Sequence, residues 1–559
     1  MKRQRCEEWW TLLCDEIRSN GGFVHSNLEF FNDGGNRDLI VNKKVNKEEI
    51  LLKIPTANFM TKQRAFLMYP WLKYIIDLHV DDGGPPLNCK NGVRKGGGSI
   101  YKNSTADLAI AMGMACQSPD TLLYLESLPE SSSFDALPRR WDDIKIQDLL
   151  AGTTLLETVK ATKRGVFEDY NMMLQQHQNF TEKMKKTTID ENVNDNNDKK
   201  SNGTTTTNMT ASFPSFEKFS DMLAAVTSRA FQIDDSDDNV ALVPILDLGN
   251  HTRGKTTTKF GRKNVSYRYH KTEEFMLVKS TIDIDADECI RLTYGAKSND
   301  QLLLNYGFCI PRNIEPDGSS NDVLKFLIFS DRTNSPGGDK IIALRAGPKS
   351  YSYGGFAATL EKFFNETDNN TGMQDNNEDV DHNDVSHEEE DDGKPDDIDV
   401  EDFLNQCDND NEDEDETGDS DDFIDLYDMK TDERMDDSEL AISDPSIKKE
   451  IEALKMFKQN LIKMSECYKS YKGTDIQTLL LVKPGYPITR MYSTILSLSE
   501  LRTIYFFVRA IDKVQLALNP NANYPPCIMD IIADQEDLDM IEKQTNDLSN
   551  AYMAIRHGV

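Results

Sequence analysis

The span Val243–Pro311 most constrains what this chain can become. It reads VPILDLGNH at Val243–His251, then a variable segment, then ECIRLTYGAKSNDQLLLNYGFCIP at Glu288–Pro311. An apolar strand runs into Asn250-His251, and a second strand ends at Tyr294 ahead of a glycine turn. Asp-X-X-Asn-His, Tyr-Gly-X-X-Ser-Asn and Tyr-Gly-Phe therefore fall at the ends of apolar elements. Taken singly, these residues are ordinary. Tyr294 reads as an aromatic packed under a turn, and His251 as a core histidine satisfied by hydrogen bonds. Their grouping carries the information.

At 559 residues the chain has room for two or three domains. Its hydrophobic content, 38%, is low for a globular protein. Much of the deficit sits in two tracts. One, at residues 183–211, contains NDNNDKKSNGTTTTNMT; the other, at 365–443, is dominated by Asp, Glu and Asn. Neither buries enough apolar surface to offset chain entropy, so both are expected to be disordered, the second as an insert because order resumes after it. Around them the pattern is structured. Cys6–Ser19 has helical spacing (Trp9, Trp10, Leu12, Leu13, Ile17) and stops at Gly21-Gly22. Phe23–Pro55 has the texture of short strands joined by Gly and Asn turns. ADLAIAMGMACQ, IQDLLAGTTLLETVKATKRGVFEDYNMMLQQH and Phe213–Phe231 read as helices, the last leading into the strand ALVPILDL. VLKFLIF and KIIAL look β-like. IKKEIEALKMFKQNLIKMSECYKSY and LSLSELRTIYFFVRAIDKVQLAL are strong amphipathic helices.

A net charge of −33 argues against non-specific nucleic-acid binding, which needs clustered Lys and Arg, and favours basic protein partners. The nine cysteines show no Cys-X-X-Cys spacing. They predict neither a disulfide framework nor a structural zinc site, and fit a reducing compartment, cytoplasm or nucleus. MKRQRCEEWWTLLCDEI lacks the apolar run of a signal peptide, and Lys2–Arg5 reads as a solvated terminus rather than a nuclear address. No segment approaches the ~18 consecutive apolar residues of a membrane span. The expectation is a monomer with no membrane or nucleic-acid partner.

The motifs of the opening span resemble the C-terminal half of a SET-domain methyltransferase. The group it resembles is that of the Rubisco large-subunit lysine methyltransferases and the actin-histidine methyltransferases, with their split SET domain. GGFVHSNLEFFNDGGNRDLIVNKKVNKEEILLKIP has the order of the family's SET opening, and VTSRAFQI looks like the helix that re-enters the core. The resemblance implies an α+β fold: a SET-domain β-fold with a helical insert, plus a mostly α-helical C-terminal substrate-binding domain. On this map 1–104 is the N-terminal helix and first part of the SET domain. Residues 105–235 are the helical insert, 236–315 the second part with the cofactor and catalytic motifs, and 316–559 the C-terminal domain. It also implies S-adenosylmethionine as cofactor and a protein side-chain nitrogen, here lysine, as methyl acceptor. Tyr294 matches the catalytic tyrosine. Arg229 matches the arginine that pairs with the cofactor carboxylate, a job suited to a guanidinium fork. Asp247, Asn250 and His251 correspond to the cofactor-binding loop, with Phe308 packing the adenine. Ser228, Phe231 and Tyr306 correspond to the acceptor channel.

One motif departs from the family. Its first cofactor loop is roughly Gly-X-Gly-Leu; here Asn36, Arg37, Asp38 and Leu39 follow Gly35. Asn and Asp tolerate left-handed backbone best among non-glycine residues, so the loop shape is expected to survive. Arg37, Asp38 and Leu39 are taken as cofactor-binding, with the Asp38 carboxylate set either to meet the cofactor's amino group or to crowd it. Two rival readings follow. The actin-histidine group carries Asn at the position of Phe231, where it can bond an imidazole, so histidine methylation on the same fold is the first. The second is a non-enzymatic acidic scaffold whose cofactor site was lost through the Asn36–Asp38 departure.

Overall fold

The computed structural model describes residues 8–33, 36–77, 104–118, 120–194, 213–233, 240–252, 263–315, 318–328, 340–347, 445–468, 487–520 and 535–557. The acidic tract at 365–443 lies outside them. Two compact units emerge. The first comprises Met1–Tyr294, Ser298–Pro316 and Lys469–Ser497; the second comprises Gly295–Lys297, Asp317–Tyr468 and Leu498–Val559.

The first unit opens with helix α1 (Glu8–Ser19), whose Trp9, Trp10, Leu13, Cys14 and Ile17 are buried on one face. Strands β1 (Phe23–Val24), β2 (Leu28–Asp33), β3 (Asn36–Val41), β4 (Ile50–Pro55) and β5 (Met60–Thr61) follow, then helices α2 (Lys62–Met68), α3 (Pro70–Asp77) and α4 (Thr105–Ala115). Helix α4 is largely apolar, and every residue from Leu108 to Ala115 is buried, as expected of a central helix. Three 3₁₀ turns (Leu123–Ser127, Ser131–Ala136 and Pro138–Arg140) precede α5 (Asp143–Leu149) and α6 (Leu155–Asn194). After α7 (Phe216–Arg229) come β6 (Ala230–Gln232), β7 (Val240–Leu242), β8 (Asn250–His251), β9 (Val265–His270), β10 (Phe275–Ser280), β11 (Arg291–Leu292) and α8 (Asn299–Tyr306).

These strands form several small sheets rather than one large one. The four-stranded sheet has the order β1-β4-β10-β9, all antiparallel. β2 and β3 form a hairpin, β7 lies between β5 and β6, and β8 pairs in parallel with β11. Two cores hold them. One joins α1 to the strands through Leu39, Val41, Leu52, Ile54, Val243 and Leu292. The other is helical, around Trp71, Leu108, Met112, Phe219 and Leu223.

The second unit carries the antiparallel pair β12 (Val323–Ile328) and β13 (Lys340–Arg345), with helices α9 (Pro445–Glu466), α10 (Ile488–Leu518, from Leu498) and α11 (Gln535–His557). Phe457, Ile504, Phe506, Ile511 and Ile541 are buried. Polar pairs bridge the helices: Tyr468 donates to Glu500 at 2.7 Å, and Arg509 reaches Glu542 at 3.0 Å.

Several expectations need correction. The tract at 183–211 was expected to be disordered, yet α6 continues to Asn194. Its first residues, KMKK at Lys183–Lys186, are good helix formers that extend an existing helix without a new nucleation cost. Residues 195–212 lie outside the described set. The Phe213–Phe231 helix is shorter than expected, ending at Arg229. Ala230 turns extended (φ −71°, ψ 141°), so Phe231 stands on a strand. Of the expected strand ALVPILDL only Ala241 and Leu242 are in a strand, as part of β7; Ile245 adopts φ 70°, ψ −48° and starts a 3₁₀ turn over Leu246–Leu248. Arg37 and Asp38 do not sit in a left-handed loop. They are extended residues of β3, paired with Asn32 and Phe31.

Candidate functional site

The site is assembled where three chain segments meet: β3, the Asp247–His251 stretch and the Cys289–Tyr294 stretch. Pairing between β8 and β11 sets Asn250 opposite Arg291 and His251 opposite Leu292. On the far side of β11, Ile290 N–H donates to Leu39 O at 2.7 Å and Ile40 bridges Cys289. Asp38 is thereby brought beside Arg291 and Asn250.

Ile245 determines how the middle segment enters. A buried β-branched residue in the γ-turn region is strained, at a cost of about 1–3 kcal/mol. The turn it starts carries Asp247 into the interior, where its side chain is fully covered. Arg229, the last residue of α7, donates from Nη1 to the Asp247 carbonyl at 2.7 Å and lies 3.5 Å from Asp247 Oδ2. Tyr124 donates its hydroxyl to the same Oδ2 at 2.6 Å. Burial raises the Asp247 carboxyl above its usual value, opposed by Arg229 and by Tyr124. Burial, with the Asp247 carboxylate, pushes the Tyr124 phenol far above its own, so Tyr124 remains a donor. Two buried atoms of this cluster, Arg229 Nε and Asp247 Oδ1, have no hydrogen-bond partner among the described residues.

Tyr294 lies at the end of β11's chain. Its N–H donates to His251 Nδ1 at 3.0 Å, which makes Nδ1 an acceptor and assigns the proton of a neutral ring to Nε2. Its hydroxyl donates to Gly249 O at 3.0 Å. The Tyr294 ring stacks on Tyr306 with centroids 4.8 Å apart and lies tilted against His251 at 4.9 Å; Phe308 lies 6.1 Å from His251. Burial holds the Tyr294 phenol up at about 12. The positions of Tyr306 and Phe308 depend on Gly307 between them, which caps α8 in the left-handed conformation at φ 77°.

Other sequence-derived residues are placed differently. Ser228 spends its hydroxyl on the α7 backbone, donating to Ala224 O at 2.7 Å. Phe231 packs edge-on against Tyr267 at 5.3 Å. The Leu39 side chain is buried in the core and its carbonyl is taken by Ile290, so it forms a wall beneath the site. The Arg37 guanidinium donates to Ser127 O at 2.6 Å and lies over Phe30; only its carbonyl meets Asn250. Tyr124 and Arg291 were not identified from the sequence. No local signal marks them, since Arg291 meets a partner 253 residues away. Among the described residues, no group of three or more His, Cys, Asp or Glu side chains gathers as a metal site.

No protein-family model matches the sequence, and no curated protein matches it. The structure does match solved ones. Against the SET domain of LSMT bound to lysine and AdoHcy, it has a TM-score of 0.53 with 14% identity over 92% of each chain. Against Rubisco LSMT bound to AdoMet the TM-score is 0.51, with 14% identity over 93% of this chain and 95% of that one. Rubisco LSMT bound to sinefungin and monomethyllysine gives 0.52 with the same identity and coverage. The class defined by the fold is therefore that of the SET domain, mixed helix and strand with a helical C-terminal region.

Proposed function

We propose that this chain is an S-adenosylmethionine-dependent protein N-methyltransferase acting on lysine. The observation that carries the reading is Tyr294. It stands on a SET fold, locked by His251 and by the Gly249 carbonyl and stacked on Tyr306. The cofactor fits the residues present. Arg229 Nε and Asp247 Oδ1 are buried polar atoms without hydrogen-bond partners among the described residues, suited to the carboxylate and ammonium of an amino acid. Asn250, three residues after Asp247, is exposed. When bound, S-adenosylmethionine supplies an electrophilic methyl group on its sulfonium.

The residues then divide the work. Tyr294 stays protonated at neutral pH, so it is a positioning group rather than a base. With its proton given to Gly249 O, its oxygen lone pairs are left to accept from an incoming amine. A lysine amine titrates near 10.4 in water and must arrive neutral; desolvation by the aromatic walls of Tyr294, Tyr306 and Phe308 favours that form. Phe231 and Tyr267 offer apolar ring surface suited to an aliphatic stem rather than an imidazole. The acceptor belongs to a protein substrate. The compartment that goes with this reading is a reducing one, cytoplasm or nucleus, in which Cys116, Cys289 and Cys467 would stay thiols.

The test is mass spectrometry of lysates incubated with the chain and a labelled methyl donor, followed by hydrolysis to free amino acids. Labelled methyl-lysine is expected. Labelled methylhistidine would move the assignment to the imidazole, and no protein-bound label would overturn it. In calorimetry, Arg229→Ala should weaken S-adenosylmethionine by on the order of 1.5–3 kcal/mol, the range for a charge-assisted hydrogen bond.

A further inference from the structure

Asp38 stands where the resembling family carries a glycine. Its carboxylate accepts from Arg291 Nη1 at 2.6 Å and Nη2 at 3.3 Å, from Asn250 Nδ2 at 2.6 Å, and from Cys289 Sγ at 3.5 Å. A carboxylate offers roughly four lone-pair sites, so these donors leave little capacity for a ligand. Asp38 is therefore poorly placed to bind a cofactor ammonium directly.

Its consequence falls on Asn250. The two hydrogens of that amide go to Arg37 O at 2.8 Å and to Asp38 Oδ1. Neither bond uses Asn250 Oδ1, and the residue is exposed. Flipping the amide would set Oδ1 against a carbonyl and a carboxylate, both acceptors, so one orientation is enforced. Arg291 keeps the carboxylate in place with a two-pronged ion pair, and the β8–β11 register puts Arg291 and Asn250 on the same side of their two-stranded sheet.

Resting on the methyltransferase reading, we infer that Asp38 and Arg291 are positioning residues: they lock the Asn250 amide with its oxygen available to an ammonium group, and so select a ligand carrying an amino-acid end as well as a nucleoside. The ion pair replaces the close backbone approach that a glycine would give. Asp38 acts only through Asn250, which makes the two positions non-additive.

The experiment is calorimetric titration of the full chain with S-adenosylmethionine and with 5′-methylthioadenosine, which keeps the nucleoside and lacks the amino acid. Asp38→Ala and Asn250→Ala should each weaken S-adenosylmethionine by roughly tenfold, the scale of one hydrogen bond to a charged group. 5′-Methylthioadenosine should bind as before. The double variant should lose no more than either single one, and Asp38→Asn, which keeps an acceptor for the amide, should recover part of the loss. With Asp38 removed, the Arg291 side chain, already 31% exposed, can reach solvent, so the fold is expected to hold; thermal melting checks this. Additive losses, equal weakening of both ligands, or unchanged S-adenosylmethionine affinity in Asp38→Ala would each overturn the lock alone. Failure of the wild-type chain to bind either ligand would instead overturn the methyltransferase reading, and the lock with it.

Discussion

Two side chains concentrate the chemistry, and both are governed by burial. The Tyr294 phenol is held at about 12, chiefly by desolvation. Tyr294→Phe is expected to lose about 10²–10³ in methyl-transfer rate, the scale of one positioning group, with cofactor affinity little changed. Unchanged turnover would remove Tyr294 from the mechanism. The same burial links to stability. An unfolded tyrosine titrates near 10, whereas the folded one holds its proton more tightly. Its contribution is complete below about pH 10 and is lost as pH rises through about 12. Tyr69, also raised to about 12 by burial, acts in the same window. Alkaline unfolding followed by circular dichroism should therefore show a shallower slope in Tyr294→Phe; an identical slope would mean the ring ionises freely. Asp247 is the other case. Asp247→Ala leaves the mostly buried Arg229 without its carboxylate and Tyr124 without an acceptor, a loss of about 3–5 kcal/mol for a broken buried pair. Denaturant unfolding measures it, and a loss under about 1 kcal/mol would show that the cluster relaxes into water.

Element ends, more than elements, build the site. Helix α7 is capped by Ser215, which accepts from Lys218 N at 3.3 Å, and its last residue is Arg229. The immediate switch to β6 points consecutive residues to different tasks: Arg229 to Asp247, Phe231 to Tyr267. Helix α8 starts with a capping box between Ser298 and Gln301 and stops at Gly307. Gly307→Ala forces a side chain into left-handed backbone, about 1–2 kcal/mol, and brings its Cβ to 3.2 Å from Ala136 Cβ. The variant should melt lower and, because Tyr306 and Phe308 flank the turn, lose methyl transfer beyond what reduced folding explains. A lower melting temperature with full activity of the folded fraction would show that the two rings do not depend on this cap.

At the scale of the whole molecule, the acidic tract is expected to act on substrate capture rather than on stability. Deleting Asp375–Asp436 should leave the melting temperature and cofactor affinity intact, because the tract has few apolar residues to add to a core. Its Phe403, Leu404, Phe423, Ile424 and Leu426 are sparse among acidic neighbours, and loop length alone costs only ~0.6 kcal/mol per doubling. Its expected role is electrostatic attraction of a basic substrate, screened beyond about 8–10 Å at physiological salt. The deletion should therefore slow capture of substrate at low ionic strength only. A large fall in melting temperature would mean that the tract packs against the folded units.

The sequence alone determined the elements whose apolar pattern is long and regular: the amphipathic α1, the largely apolar α4, and the helices α9 and α10. It also determined the residue types of the site, because Asp247, Asn250, His251 and Tyr294 lie in two short spans whose spacing is visible without a fold. It did not show helix α11, whose Ile541, Leu548 and Tyr552 are spaced among acidic and amide residues. Element ends were beyond it too: α6 outran a polar tract, and α7 stopped before Phe231. Extent and stop are decided by caps and neighbours rather than by hydrophobic period. Above all, only the tertiary structure brought Tyr124 to Asp247 and Arg291 to Asp38. Ion pairs and hydrogen bonds between segments 123 and 253 residues apart leave no local pattern, because the strand register that creates them is set by the pairing of distant chain.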